Sequence, residues 1–106
     1  VLPLSNELLT KSEGLYHVYH QYTIKVNDGK RDEVKKHLEE NGVSTMIYYP
    51  IPLHKMKVFA DRSRVHDGLE ESESASFDVL SLPIEPLQTE ADTFSVINCI
   101  CEFFEN

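Results

Sequence analysis

The chain has 106 residues, with 18 acidic and 10 basic side chains, a net charge of −8 and a 41% hydrophobic composition. That length suits a single domain with one modest core, and the balance reads as globular rather than disordered. An acidic surface repels phosphate backbones, so nucleic acid is not an expected partner, and no apolar run approaches the roughly 20 residues that span a bilayer.

The chain begins at Val1 rather than Met, from which we expect that a leader, a tag or a larger parent protein has been removed. Val1-Leu2-Pro3-Leu4 lacks the basic lead and long apolar core of a signal peptide. Residues 1–15 form a lead-in of mixed polarity, with Pro3 and Gly14 near its borders. Tyr16 to Val26 is rich in β-branched and aromatic residues and predicts a strand, with Val18, His20, Tyr22, Ile24 and Val26 on one face. Asn27-Asp28-Gly29 then makes a turn.

Lys30 to Asn41 predicts a helix. Val34 and Leu38 share a face with His37 beside them, Asp32 and Glu33 suit the positive end of the helix dipole, and Gly42 stops it. Val43 to Tyr49 is again strand-like, and Pro50-Ile51-Pro52 breaks it, because proline cannot donate to a sheet ladder. Asp61 to Gly68 is polar and loop-like. Glu70 to Val79 has Ser72, Ala75 and Val79 at helical spacing, and Glu70, Glu71 and Glu73 read as its solvated start. Leu80 to Ile84 is a short extended run closed by Pro83 and Pro86.

Thr89 opens the last helix, with Asp92 placed to complete a capping box. Phe94, Ile97, Cys101 and Phe104 form one stripe, with Val96, Ile100 and Phe103 beside it, and this broad face is expected to pack across the sheet. The expected fold class is therefore α/β, as a small sheet with helices packed on it, in one domain of residues 1–106.

Tyr48, Tyr49 and His54 are the candidate binding residues. They stand at a strand end and in a loop braced by Pro50 and Pro52, where α/β folds often place ligands. Two phenols and an imidazole can bond phosphates or sugar hydroxyls, and the prolines lower the ordering that binding would require. From spacing alone a purely structural reading stays open, in which the tyrosines fill a half-buried sheet edge and His54 is solvated.

His17 and His20 fall three apart on a predicted strand, hence on opposite faces, so no shared metal is expected. Cys99 and Cys101 are spaced for neither a disulfide nor a metal pair, which fits a reducing, cytoplasmic compartment. No nucleophile elbow, phosphate loop or dinucleotide fingerprint is present.

Five segments, in order, resemble the C-terminal domain of the DegT/StrS sugar aminotransferases. His17-Val18-Tyr19-His20-Gln21-Tyr22-Thr23-Ile24 is similar to the strand opening that domain, and Arg31-Asp32-Glu33-Val34, Leu38 and Gly42-Val43 to its helix and turn. Tyr49-Pro50-Ile51-Pro52-Leu53-His54 closely matches its HYPIPLH loop. Leu80-Ser81-Leu82-Pro83-Ile84 resembles its LSLP strand, and Leu87 to Glu90 the start of its last helix.

The resemblance implies a fold-type-I parent enzyme dependent on pyridoxal phosphate, transferring an amino group to a keto-sugar nucleotide for glycan or related sugar synthesis. It implies a homodimer, a large N-terminal domain carrying the cofactor lysine, and Tyr48, Tyr49 and His54 in the loop approaching the nucleotide sugar. No lysine here matches the cofactor-lysine motif, so this chain alone is expected to bind no cofactor covalently and to be inert. The family often has His where Tyr48 stands, and a glutamine in the segment occupied by Lys55-Met56-Lys57. The alternative is a free-standing α/β module that binds a ligand or protein without catalysis.

Overall fold

The computed structural model describes Leu2, residues 18–66 and residues 68–106. The opening residues of the first predicted strand, Tyr16 and His17, lie outside the described residues. What forms is shorter than expected: β1 is Tyr22–Lys25. Tyr22 and Ile24, with Val26 just beyond the strand, pack toward the core as their alternation predicts, but Val18 is 88% exposed and His20 is exposed.

β1 pairs antiparallel with β2, Val79–Leu82, in the register Tyr22 with Leu82 through Lys25 with Val79. Pairing therefore joins residues nearly sixty apart in sequence. Thr23 and Ser81 face each other and share a hydroxyl hydrogen bond of 2.8 Å. Val43 to Tyr49 does not become a full strand. Only Met46 bridges the sheet, exchanging backbone bonds with Ser81 at 2.7 and 3.1 Å.

Helix α1 spans Arg31–Glu40. It follows a turn in which Asp28 and Gly29 both have positive φ, 63° and 68°. Its far end closes as the sequence predicts: Gly42 takes φ 78°, and the Val43 amide bonds back to the Leu38 carbonyl at 2.8 Å. Val34 and Leu38 are completely buried.

Helix α2, Glu70–Asp78, runs directly into β2. Val79 is therefore not helical but opens the strand. Helix α3, Glu90–Glu105, begins with the expected capping box: the Asp92 amide donates to Thr89 Oγ1, and the Thr89 amide to Asp92 Oδ2.

The core is Ile24, Val26, Val34, Leu38, Val43, Leu80 and Cys99, roofed by α1 and α3. One expectation is corrected here. The face of α3 that packs is Val96, Cys99, Ile100 and Phe103, with Phe103 against His37 at 5.5 Å between ring centres. Phe94, Ile97, Cys101 and Phe104 are exposed. Apolar residues cover most of this helix's circumference, so periodicity alone did not single out the buried side.

Arg31 ties the parts together. It is 8% exposed, and its Nη1 donates to the Ser76 carbonyl at 2.9 Å, in the last turn of α2. Those carbonyls have no helical partner, and a guanidinium suits the negative end of the helix. This contact fixes the start of α1 to the end of α2, across 45 residues.

Candidate functional site

The proline-braced loop and α2 enclose one open groove of about 730 Å³. Tyr48, Tyr49, Pro50, Pro52 and His54 all line its loop side, so the structure brings every sequence-predicted site residue to one place. Leu69, Ser72, Ala75, Ser76 and Val79 form the opposite wall. Ser72, Ala75 and Val79, read from the sequence as sharing helical spacing, all face the groove.

Each loop residue is placed by a local cause. Met46, bridged to Ser81, holds the chain against β2 just before Tyr48. The Tyr48–Tyr49 peptide is cis, and the two rings meet edge to face with centres 5.6 Å apart. Tyr49, 71% exposed, fills no sheet edge, whereas Tyr48, 36% exposed, also borders Met46, Ser81 and Leu82 along β2. Pro52 has φ −61° and ψ 146°, and leads into a single 3-10 turn, Leu53–Lys55, that carries His54.

Nor is His54 a solvated loop residue. Its side chain is 14% exposed, and Nε2 lies 2.8 Å from Glu73 Oε1 on α2. Lys55 Nζ reaches the other oxygen, Oε2, at 2.6 Å. These two donors, Lys55 foremost, hold the Glu73 carboxyl below its ordinary range. Glu73 lies in the solvated start of α2 as read, but it also holds the loop. Sequence reasoning missed it because its partners lie 18 and 19 residues away; the only hint was a carboxylate on the helix that follows the loop.

Cys99 is buried in the core, where desolvation and then the nearby Glu102 charge raise its thiol pKa. His17 lies outside the described residues. Among the described residues, no group of His, Cys, Asp and Glu could hold a metal ion. Among them also, no helix is long and apolar enough to cross a membrane.

Pyridoxal phosphate, which the resemblance implies, needs a lysine for its carbonyl carbon and a carboxylate facing its pyridine nitrogen. The groove lining has neither. Its polar side chains are two phenols, one imidazole and two serine hydroxyls. Lys25, Lys35, Lys36 and Lys55 are each paired with a carboxylate. The groove by itself therefore does not fit the cofactor. An apolar, tyrosine-rimmed wall with one oriented imidazole can bind and orient a polar ligand, but it supplies no electron sink.

Residues 3–101 match the model of the DegT/DnrJ/EryC1/StrS aminotransferase family. The chain is 44% identical over 94 residues to a pleiotropic regulatory protein of Geobacillus stearothermophilus, covering 89% of this chain and 25% of that protein. It is also 44% identical over 73 residues to a UDP-N-acetyl-3-dehydro-alpha-D-glucosamine 3-aminotransferase of Acidithiobacillus ferrooxidans, covering 69% of this chain and 19% of that one. A DegT/DnrJ/EryC1/StrS aminotransferase structure from Brucella abortus superposes with a TM-score of 0.78 at 33% identity, over 92% of this chain and 26% of that one. The structure of S. venezuelae DesV in complex with a ketimine intermediate gives 0.74 at 32% identity, over 83% and 23%. The chain thus spans about a quarter of the length of the relatives it matches.

Proposed function

Because the chain belongs to the DegT/DnrJ/EryC1/StrS aminotransferase family, we propose that it is the C-terminal domain of an aminotransferase acting on a keto-sugar nucleotide. In this reading Tyr48, Tyr49 and His54 form one lip of the nucleotide-sugar site, and Pro50 and Pro52 shape that lip. The observation that carries the reading is the groove itself, which gathers these residues on a fold shared with relatives of which the match covers about a quarter. Relatives named for transamination of nucleotide sugars support the substrate class.

The cofactor lysine and its carboxylate belong, on this reading, to a large N-terminal domain, with the whole enzyme a cytoplasmic homodimer. Pyridoxal phosphate would supply the electron sink there. The tasks left to this chain are to close one side of the site, exclude water and hold the substrate's sugar end. Alone it is inert.

Incubating the 106-residue chain with pyridoxal phosphate and recording its absorbance tests this division of labour. No aldimine band is expected. A stable band abolished by one lysine substitution within the chain would overturn it. Calorimetric titration with UDP-N-acetylglucosamine separates the alternative. Tight binding by the isolated chain, lost in Tyr49→Ala and His54→Ala, would favour a free-standing binding module.

A further inference from the structure

The 3-10 turn carrying His54 is closed by backbone bonds from the Lys55 and Met56 amides, which do not touch the imidazole. Glu73 holds the ring. One carboxylate holds two successive loop residues, Oε1 engaging His54 and Oε2 engaging Lys55. A carboxylate offers only acceptors, and Lys55 and His54 together keep this one in its ionised form. The 2.8 Å contact therefore requires the proton on Nε2.

In the neutral ring that assignment determines what His54 offers to a ligand. Among the described residues Nδ1 has no hydrogen-bond partner, and His54 lines the groove. In a neutral ring protonated on Nε2, Nδ1 is an acceptor. A sugar hydroxyl can donate to it. A diphosphate, whose oxygens are all acceptors at neutral pH, cannot.

We propose that Glu73 is a positioning residue: it clasps His54 as the Nε2–H tautomer and so presents Nδ1 as the acceptor for a hydroxyl of the bound sugar, not as a donor to its diphosphate. The hydroxyl contact rests on the nucleotide-sugar reading above, whereas the clasp stands on the geometry alone.

Long-range ¹H–¹⁵N NMR of the histidine side chains at pH 8 reads the tautomer directly, with His54→Gln assigning the His54 signals. The wild-type chain is expected to show His54 as a single Nε2–H form. Glu73→Ala is expected to give mixed tautomers while the His37 signals, in the α1–α3 contact, stay in place as evidence of an intact fold. Glu73→Gln keeps a carbonyl acceptor and is expected to restore most of the Nε2–H population. A Nδ1–H form in the wild type, or an unchanged tautomer in Glu73→Ala, overturns the clasp.

Adding millimolar UDP-N-acetylglucosamine is expected to move the Nδ1 resonance of the wild type, and inorganic pyrophosphate is not. A Nδ1 response to pyrophosphate alone overturns the hydroxyl contact. Silence of the whole groove with both probes overturns the hydroxyl contact but not the C-terminal-domain reading, which places the rest of the site on another domain; the tautomer measurement still decides the clasp.

Discussion

Replacing Arg31 with Met removes the link between α1 and the helix that walls the groove. Methionine keeps much of the apolar stem, so packing loss is small and the polar contacts dominate the effect. The bond from Nη1 to the buried Ser76 carbonyl is charge-assisted and well placed at 2.9 Å, a class whose loss costs about 1.5–3 kcal/mol. The second contact, to the Val79 carbonyl at 3.4 Å, is at the edge of useful geometry and adds little. The ion pair with Asp32 has a partner side chain that is 79% exposed, so it adds at most about 1 kcal/mol. A net loss of about 2 kcal/mol follows, which lowers the melting temperature of a domain this size by about 8–16 °C. Urea denaturation followed by circular dichroism measures the first quantity and a thermal scan the second. Hydrogen exchange should show the protection loss concentrated at the C-terminal turn of α2. A destabilisation below about 0.5 kcal/mol, the range of an ordinary surface substitution, would refute the reasoning.

The core under α1 and the exposed face of α3 predict opposite outcomes. Leu38→Ala, at a completely buried site, should cost about 2–5 kcal/mol in urea titration, whereas Phe104→Gln, at a site 53% exposed, should change stability by about 0.5 kcal/mol or less. The acid limb of stability carries a third prediction. The Glu73 carboxyl has its pKa lowered in the folded chain, so its contribution is complete above the ordinary carboxylate range and is lost as pH falls through the lowered folded value. Glu73→Gln should therefore melt below the wild type at neutral pH, with the difference closing as the solution is acidified. Parallel melting curves across the acid range would count against it.

Local chemistry made much of the fold legible. Asn27-Asp28-Gly29, the Val34–Leu38 face, the Gly42 stop and the Thr89–Asp92 box each act within a few residues, and each formed as read. Val43 to Tyr49 was less legible, because β propensity describes a surface that can pair, and only Met46 found a partner on β2. The site divided in the same way. Its loop side announced itself through prolines, phenols and an imidazole in one stretch, while its helical side consisted of small residues with no signature of their own.

The sequence by itself determined a small acidic α/β domain, its three helices, its family and the loop bearing Tyr48, Tyr49 and His54. Tertiary structure alone decided which face of α3 is buried, that Arg31 locks α1 to α2, and that Glu73 orients His54. The physical reason is range. Turns, caps and helix periodicity are set by neighbours along the chain, but a helix apolar on most sides chooses its buried face by what it meets. A buried guanidinium or a half-buried imidazole acquires its role from a partner that folding, not spacing, brings within 3 Å.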